Sequence, residues 1–341
     1  MRLFSFRNKT VFKRIGLILG IAALVLLAVA IGLYFYLQRY LVYTPDGVYL
    51  DFHRGSIEAP AQTDEPEAPP ADFTGAQIEE VEPVAPGTEV STTVLSGYVV
   101  PHELLRDQSA LLAFLSELDG PCTLLFDVKD AVGNFYYSSD VAGQGEQSED
   151  LLSSLIPTLK RRGYYLVARV SALRDRSYGL AHVQSGLPLA SGALWMDSGG
   201  CYWLDPADAS VQVRLTRICT ELFNLGFHEV VLSSFWFPDS EYIVYSAPEG
   251  RDAVIAQAAD ALSDNLTGIG SVSFQIRMDQ TLFSPGSGRL YLAAEEASEI
   301  ERVVSQAQDL LEDMSVQLVF LTDSHDTRFE GYGLLRTLQI D

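Results

Sequence analysis

Leu151-Leu-Ser-Ser-Leu-Ile-Pro-Thr-Leu-Lys-Arg-Arg-Gly-Tyr-Tyr-Leu-Val-Ala-Arg-Val170 is the stretch on which the fold turns. Its first half sets Leu151, Leu152, Leu155, Ile156 and Leu159 on one face of a helix. Its second half, Tyr164 to Val170, is a short apolar run of the kind that a strand buried on both faces displays. A helix feeding directly into a buried strand is the unit of an α/β protein with a parallel sheet.

The alternation continues in both directions. Candidate strands are Val94 to Val100, Thr123 to Val128, Tyr164 to Val170, Glu229 to Phe235, Ser271 to Arg277, Arg289 to Ala294, Val316 to Leu321 and Tyr332 to Leu338. A second amphipathic face comprises Ile300, Val303, Val304, Ala307, Leu310, Leu311 and Met314. Eight strands in a domain running from 91 to 341 predict a (β/α)8 barrel of the TIM type. Its second half is short of helices: only Gln280 to Gly288, with Ser284-Pro-Gly-Ser-Gly288, separates the fifth and sixth strands, and the seventh and eighth are as close. Either that half is reduced, or two of these strands form a hairpin.

Upstream the chain changes character. Residues 1–14 hold five basic residues and no acid, so the remainder carries −27 against a total of −22. Residues 15–37 contain no charge and no proline, about 34 Å of helix, enough to cross a bilayer core. The basic flank predicts a single-pass anchor in the cell membrane, with the N-terminus cytoplasmic and the main domain extracytoplasmic. A cleaved signal peptide fits less well, because Ala28-Val29-Ala30 lies inside the apolar run. Residues 38–55 read as a β-hairpin around Pro45-Asp46-Gly47. Residues 56–90, with nine acids, six prolines and no base, read as an extended acidic linker.

Composition narrows the function. A chain that is 48% hydrophobic has the apolar content for a core, and 45 acids against 23 bases argue against nucleic-acid binding. Cys122, Cys201 and Cys219 are too widely spaced for a metal or disulfide framework, and the histidines have no ligand spacing. The sequence therefore calls for no metal and no cofactor.

Three segments carry a resemblance. Leu124-Leu-Phe-Asp-Val-Lys-Asp130 with Gly133, Leu159-Lys-Arg-Arg-Gly-Tyr-Tyr-Leu-Val-Ala-Arg169, and Trp203-Leu-Asp-Pro206 followed by Leu225-Gly-Phe-His-Glu-Val-Val-Leu-Ser-Ser-Phe-Trp-Phe-Pro238 occur in this order. Together they resemble the bacterial putative glycosyl hydrolase domain family, TIM barrels related to α-amylase-like hydrolases. The resemblance spans roughly Gly97 to Pro238 and fades beyond Asp279. It implies a glycoside-hydrolase-like domain acting on carbohydrate.

The departures from that family bear on activity. Its fourth strand ends in Phe-Asp-Tyr-Val-Arg-Phe-Pro, and here Ser233, Ser234 and Trp236 stand at the Asp, Tyr and Arg positions. On the fifth strand Gln275 stands where the family has Asp. Glycoside hydrolysis needs one carboxylic acid and one carboxylate about 5–9.5 Å apart, so losing both acids predicts a degenerate catalytic site. If hydrolysis persists, its candidates are Asp127, Asp130, Glu241 and Asp279. The candidate sugar-contacting set is Asp127, Lys129, Arg169, Trp203, Ser233, Trp236 and Gln275. An ion pair of Asp127 with Lys129 or Arg169 at the barrel mouth is the simplest structural role for that acid, and an N-terminal helix cap is the simplest for Asp205. Three classes remain: a membrane-anchored barrel that binds envelope or extracellular glycan, an active hydrolase using other carboxylates, and an envelope scaffold that binds a protein partner.

Overall fold

The computed structural model describes residues 41–44, 47–50, 93–142, 151–294 and 297–337. The chain divides into two units, Met1–Glu80 and Val81–Asp341. In the first, β1 (Leu41–Thr44) and β2 (Gly47–Leu50) pair antiparallel as a hairpin. Residues 15–37, which the sequence assigns to a membrane span, lie outside the described residues. Among those that are described, no helix is long and apolar enough to cross a membrane.

The second unit is a closed barrel. Its strands are β3 (Ser96–Val100), β4 (Thr123–Lys129), β5 (Tyr165–Ser171), β6 (Glu229–Ser233), β7 (Ser271–Ile276), β8 (Leu290–Ala293), β9 (Leu318–Leu321) and β10 (Gly333–Thr337). All eight neighbouring pairs are parallel, with β10 closing on β3. Each corresponds to one of the eight strands expected from the sequence. The helices are α1 (His102–Leu105), α2 (Gln108–Glu117), α3 (Leu152–Arg161), α4 (Arg176–Ala181), α5 (Ala209–Leu225), α6 (Arg251–Asn265), α7 (Ile300–Ala307) and α8 (Met314–Gln317).

Period-two alternation sorts the strand residues into two cores. Val99, Leu125, Val167, Val231, Tyr291, Val319 and Leu335 fill the barrel interior. Leu124, Phe126, Leu166, Val230, Leu232, Phe274 and Leu292 form the outer layer with the helices, including Leu152, Ile156 and Leu159 of α3. Each such side chain, fully buried, contributes roughly 1.5–3 kcal/mol. Gly97 is a steric requirement of closure: a Cβ there would lie 1.8 Å from the Thr123 carbonyl oxygen on β4. Helix α5 begins at Asp208, whose side chain accepts from the Ser210 N–H at 2.7 Å. The cap is thus three residues beyond Asp205, where the sequence had placed it. Asp205 instead accepts from Ala207 N–H and from the Tyr245 hydroxyl.

The second half is reduced, and neither short connection is a hairpin. From β7 to β8 the loop carries Leu282 and Phe283 inward, and Phe283 packs on Phe274 and Phe235 at centroid distances of 5.5 and 6.2 Å. From β9 to β10, Phe329 and Tyr332 pack edge-on against Phe320. Large side chains on short connections cover the outer sheet face that a helix would otherwise cover.

The strands' N-terminal end is plugged by charge. The carboxylate of Glu229 meets the guanidinium of Arg289, and the two side chains are 0% and 2% exposed. Glu229 also accepts from the Tyr165, Ser273 and Tyr291 hydroxyls, while Arg289 donates to the Val316 and Thr93 carbonyls. Burial works against the Arg289 charge, but the neighbouring Glu229 carboxylate outweighs it and raises the guanidinium above its ordinary value. Satisfied on all sides, such a pair holds two ions in a dry interior, and removing one partner strands the other. Arg289→Met is expected to cost about 3–5 kcal/mol in urea unfolding of the chain, and Arg289→Met combined with Glu229→Gln markedly less. A single-mutant loss below about 1 kcal/mol would contradict this account of the plug.

Candidate functional site

At the opposite, C-terminal end of the strands, period-two alternation turns Asp127 (β4), Arg169 (β5), Ser233 (β6) and Gln275 (β7) toward the barrel mouth. Asp127 and Arg169 are register partners on adjacent strands. Arg169 spreads its planar fork across three strands. Its Nε and Nη2 both donate to the Asp127 carboxylate, the second at 2.8 Å, and its Nη1 donates to Gln275 Oε1 at 3.1 Å. The side chains of Asp127 and Arg169 are each 19% exposed, so the bracket is partly buried and reached by solvent. Bidentate charge-assisted pairing of this kind fixes both groups in place.

Asp127 is the one acidic residue within the eight strands at their C-terminal ends, since Glu229, the other acid they contain, sits in the plug. The other candidate acids lie outside the strands. Asp130 accepts from the backbone N–H groups of Val132, Gly133 and Asn134, the Asn134 amide and the Tyr136 hydroxyl. Burial works against its charge, yet these bonds prevail and hold the carboxyl below the usual range. Gly133, with φ +106°, makes that turn possible. Asp279 is paired with Arg277 on an exposed loop, and Glu241 is exposed on the loop after β6. The geometry therefore brings Asp127, Arg169 and Gln275 together and leaves Asp130, Glu241 and Asp279 on loops.

Lys129, grouped by sequence with the sugar-contacting residues, is buried elsewhere. A register shift between Asp127 and Lys129 re-aims the strand end, and the ammonium pairs with Asp175 at 2.9 Å, both side chains 1% exposed. It also donates to the Ser171 carbonyl. Of the two partners considered for Asp127, Arg169 is the one it has. Ser233 donates to the Val170 carbonyl at 3.1 Å. The next residue, Ser234, is the one non-glycine with positive φ, at 54°, among the described residues. Such a conformation costs of order 1–3 kcal/mol, and here it turns the chain so that Phe235 enters the core while Trp236 stays half-buried at the mouth.

Long loops after β5 and β6 complete this face. Leu189 and Ile243 join the two loops by a β-bridge, and Val244 N–H donates to the Pro188 carbonyl. Within the β5 loop, Asp197 accepts from Arg174, from the Trp203 indole N–H at 2.9 Å and from the N–H groups of Gly199 and Cys201. This cluster has no motif that sequence reading would recognise. The three tryptophans of the chain make a row: Trp195 lies 6.5 Å from Trp203, which lies 5.4 Å from Trp236. Trp203 is 5% exposed, so it acts as the packed centre of the row, while its neighbours are half-buried. Beyond Trp236, a cleft of 270 Å³ opens after β6 and β7, lined by Trp236, Phe237, Asp239, Arg277, Asp279 and Gln280 among others. Among the described residues no group of three His, Cys, Asp or Glu side chains is placed to hold a metal ion.

A family model described as a putative glycosyl hydrolase domain matches residues 106–319, which run from the end of the first barrel helix into β9. The chain belongs to that family. Its domain is glycoside-hydrolase-like, and solved structures of glycoside hydrolases are among its neighbours. The glycoside hydrolase domain of PelA from Pseudomonas aeruginosa is 14% identical, with 72% of this chain and 94% of that chain covered and a TM-score of 0.47. A hypothetical protein from Ruminiclostridium thermocellum ATCC 27405 is 17% identical, covering 52% and 96%, with a TM-score of 0.47. A Kfla1895 mutant in complex with cyclobis-(1→6)-α-nigerosyl is 11% identical, covering 72% and 42%, with a TM-score of 0.50. A search of curated proteins finds no match.

The Asp197 cluster gives a pH signature. Burial disfavours its charge, but the hydrogen bonds from Arg174 and Trp203 prevail and hold the carboxyl at about 2. A folded value below the unfolded one stabilises the loop above about pH 4, and that stability fades as pH falls toward about 2. Tryptophan emission, reporting on Trp203, is expected to shift across that window, and Asp197→Asn to abolish this component. An identical acid transition in the variant would contradict the assignment.

Proposed function

We propose that this chain is a membrane-tethered, extracytoplasmic carbohydrate-binding protein built on a glycosidase barrel, with hydrolysis absent or very weak. The observation that carries the reading is the bracketing of Asp127 by Arg169. Both carboxylate oxygens of Asp127 are engaged by Arg169, so neither is directed at a bound glycosidic oxygen. As a nucleophile it would lack a partner acid on the neighbouring strands, because Ser233 and Gln275 are neutral and the acids of the cleft, Asp239, Asp252 and Asp279, lie on other elements. Losing such groups removes several kcal/mol of transition-state stabilisation, a factor of a thousand or more in rate.

Binding does not need what hydrolysis has lost. Gln275, Ser233 and Gln280 can exchange hydrogen bonds with sugar hydroxyls, and Trp236 offers an aromatic face beside the cleft. The tether rests on the uncharged run 15–37 and its basic N-terminal flank. On this reading the acidic linker holds the barrel away from the membrane, within reach of envelope or extracellular glycan.

The purified full chain, screened on α- and β-linked glycans, is expected to bind without generating new reducing ends. Trp236→Ala should weaken that binding by roughly 1–2 kcal/mol through lost stacking and buried area. Ser233→Asp should not restore turnover, because a partner acid is still missing. Robust turnover in the wild type that Asp127→Asn abolishes would overturn the proposal and identify a working hydrolase.

A further inference from the structure

The tryptophan row includes Trp195, which does not line the cleft, and a site for one sugar ring makes no use of it. Trp236 stands at the junction of the row and the 270 Å³ cleft. Trp195 also packs on Trp203, at most about 12 Å from Trp236 by the two centroid steps. It comes from a different element, the loop after β5, and it too keeps part of its ring in solvent. Trp203 is locked in place, its indole N–H spent on Asp197 and its ring buried. Two accessible aromatic surfaces are thus held at a fixed separation by a third ring that touches both. The loop that carries Trp195 is rigidified by its own bonds. Trp195 N–H donates to the Leu187 carbonyl, Leu187 N–H to the Trp203 carbonyl, and Arg174 pairs with Asp197. Aromatic side chains held this firmly bind at low entropic cost.

The cations near the row are engaged within the protein, and the acids Asp239 and Asp252 also line the cleft. Arg174 is paired with Asp197, Arg169 with Asp127 and Arg277 with Asp279, and Arg251 donates to the Ser240 and Ile243 carbonyls. Recognition there falls to ring faces and hydroxyl groups, the chemistry of a neutral glycan. An acidic glycan would in addition meet the repulsion of a chain whose net charge is −22.

We infer that the ligand is an extended neutral oligosaccharide or polysaccharide, with one ring in the cleft against Trp236 and a later ring stacked on Trp195. The inference rests on the carbohydrate-binding reading and adds chain length and charge to it. Calorimetric titration of the full chain tests it, using α-1,4-glucan, β-1,4-glucan and β-1,4-linked N-acetylglucosamine series from monosaccharide to hexasaccharide. In the series that binds, affinity is expected to rise about tenfold or more between disaccharide and tetrasaccharide, and to change little with added salt. Trp195→Ala should lower the tetrasaccharide affinity about tenfold and the disaccharide affinity less than about twofold, with Trp195→Phe restoring most of the difference. Trp195→Met, which keeps a long apolar side chain without an aromatic face, should behave as Trp195→Ala does and separates lost stacking from lost packing. Length-independent affinity, or equal losses at both lengths, overturns the extended row while leaving carbohydrate binding standing. Absence of binding in every series overturns both.

Discussion

The guanidinium of Arg169 ties the ends of β4, β5 and β7 together by holding Asp127 and Gln275 at once. Much of the rest follows from that contact. It fixes the shape of the mouth, it occupies the one strand-borne acid there, and it leaves the neutral groups around it to make whatever contacts a ligand needs. The barrel's other end is closed by the same chemistry, Arg289 on Glu229, but with the pair dry and saturated by hydroxyls. The two ends therefore differ in access rather than in kind. A charge pair sealed from water belongs to stability, and one that keeps contact with the mouth also shapes the surface a ligand meets.

The economy of the second half fits this division. Where a short connection replaces a helix, Phe283 or Phe329 and Tyr332 fill the outer layer, so β7 through β10 can be a wall of modest thickness. Chain length is spent instead on the loops after β5 and β6, which meet in the Leu189–Ile243 bridge and carry Trp195, Trp203 and Trp236. The strain at Ser234 belongs with them, because it converts the end of β6 from a core strand into the edge of the cleft.

Much of this was legible in the residues. Strands buried on both faces read as continuous apolar runs, and this is why all eight could be located from the sequence. An ion pair of Asp127 with Lys129 or Arg169 was legible too, and the choice of Arg169 follows from its place opposite Asp127 on the adjacent strand. Other features depend on closure, which no local pattern encodes. Arg169 and Gln275 are 106 residues apart, and Glu229 and Arg289 are 60 apart. The one available signal was that Glu229 opens β6 and Arg289 directly precedes β8, each two residues before an interior position, Val231 and Tyr291. Lys129 was misplaced because a register shift re-aims its strand end. The helix cap was misread because Asp205 and Asp208 both precede the helix, and only the backbone turn decides between them.

The most direct test of the central claim is a crystal structure of the chain with a glycan it binds. The account predicts a sugar ring against Trp236 with the Asp127 carboxylate still held bidentately by Arg169. A complex in which Asp127 has left Arg169 and lies within hydrogen-bond distance of a glycosidic oxygen, facing a second carboxyl group, would contradict it.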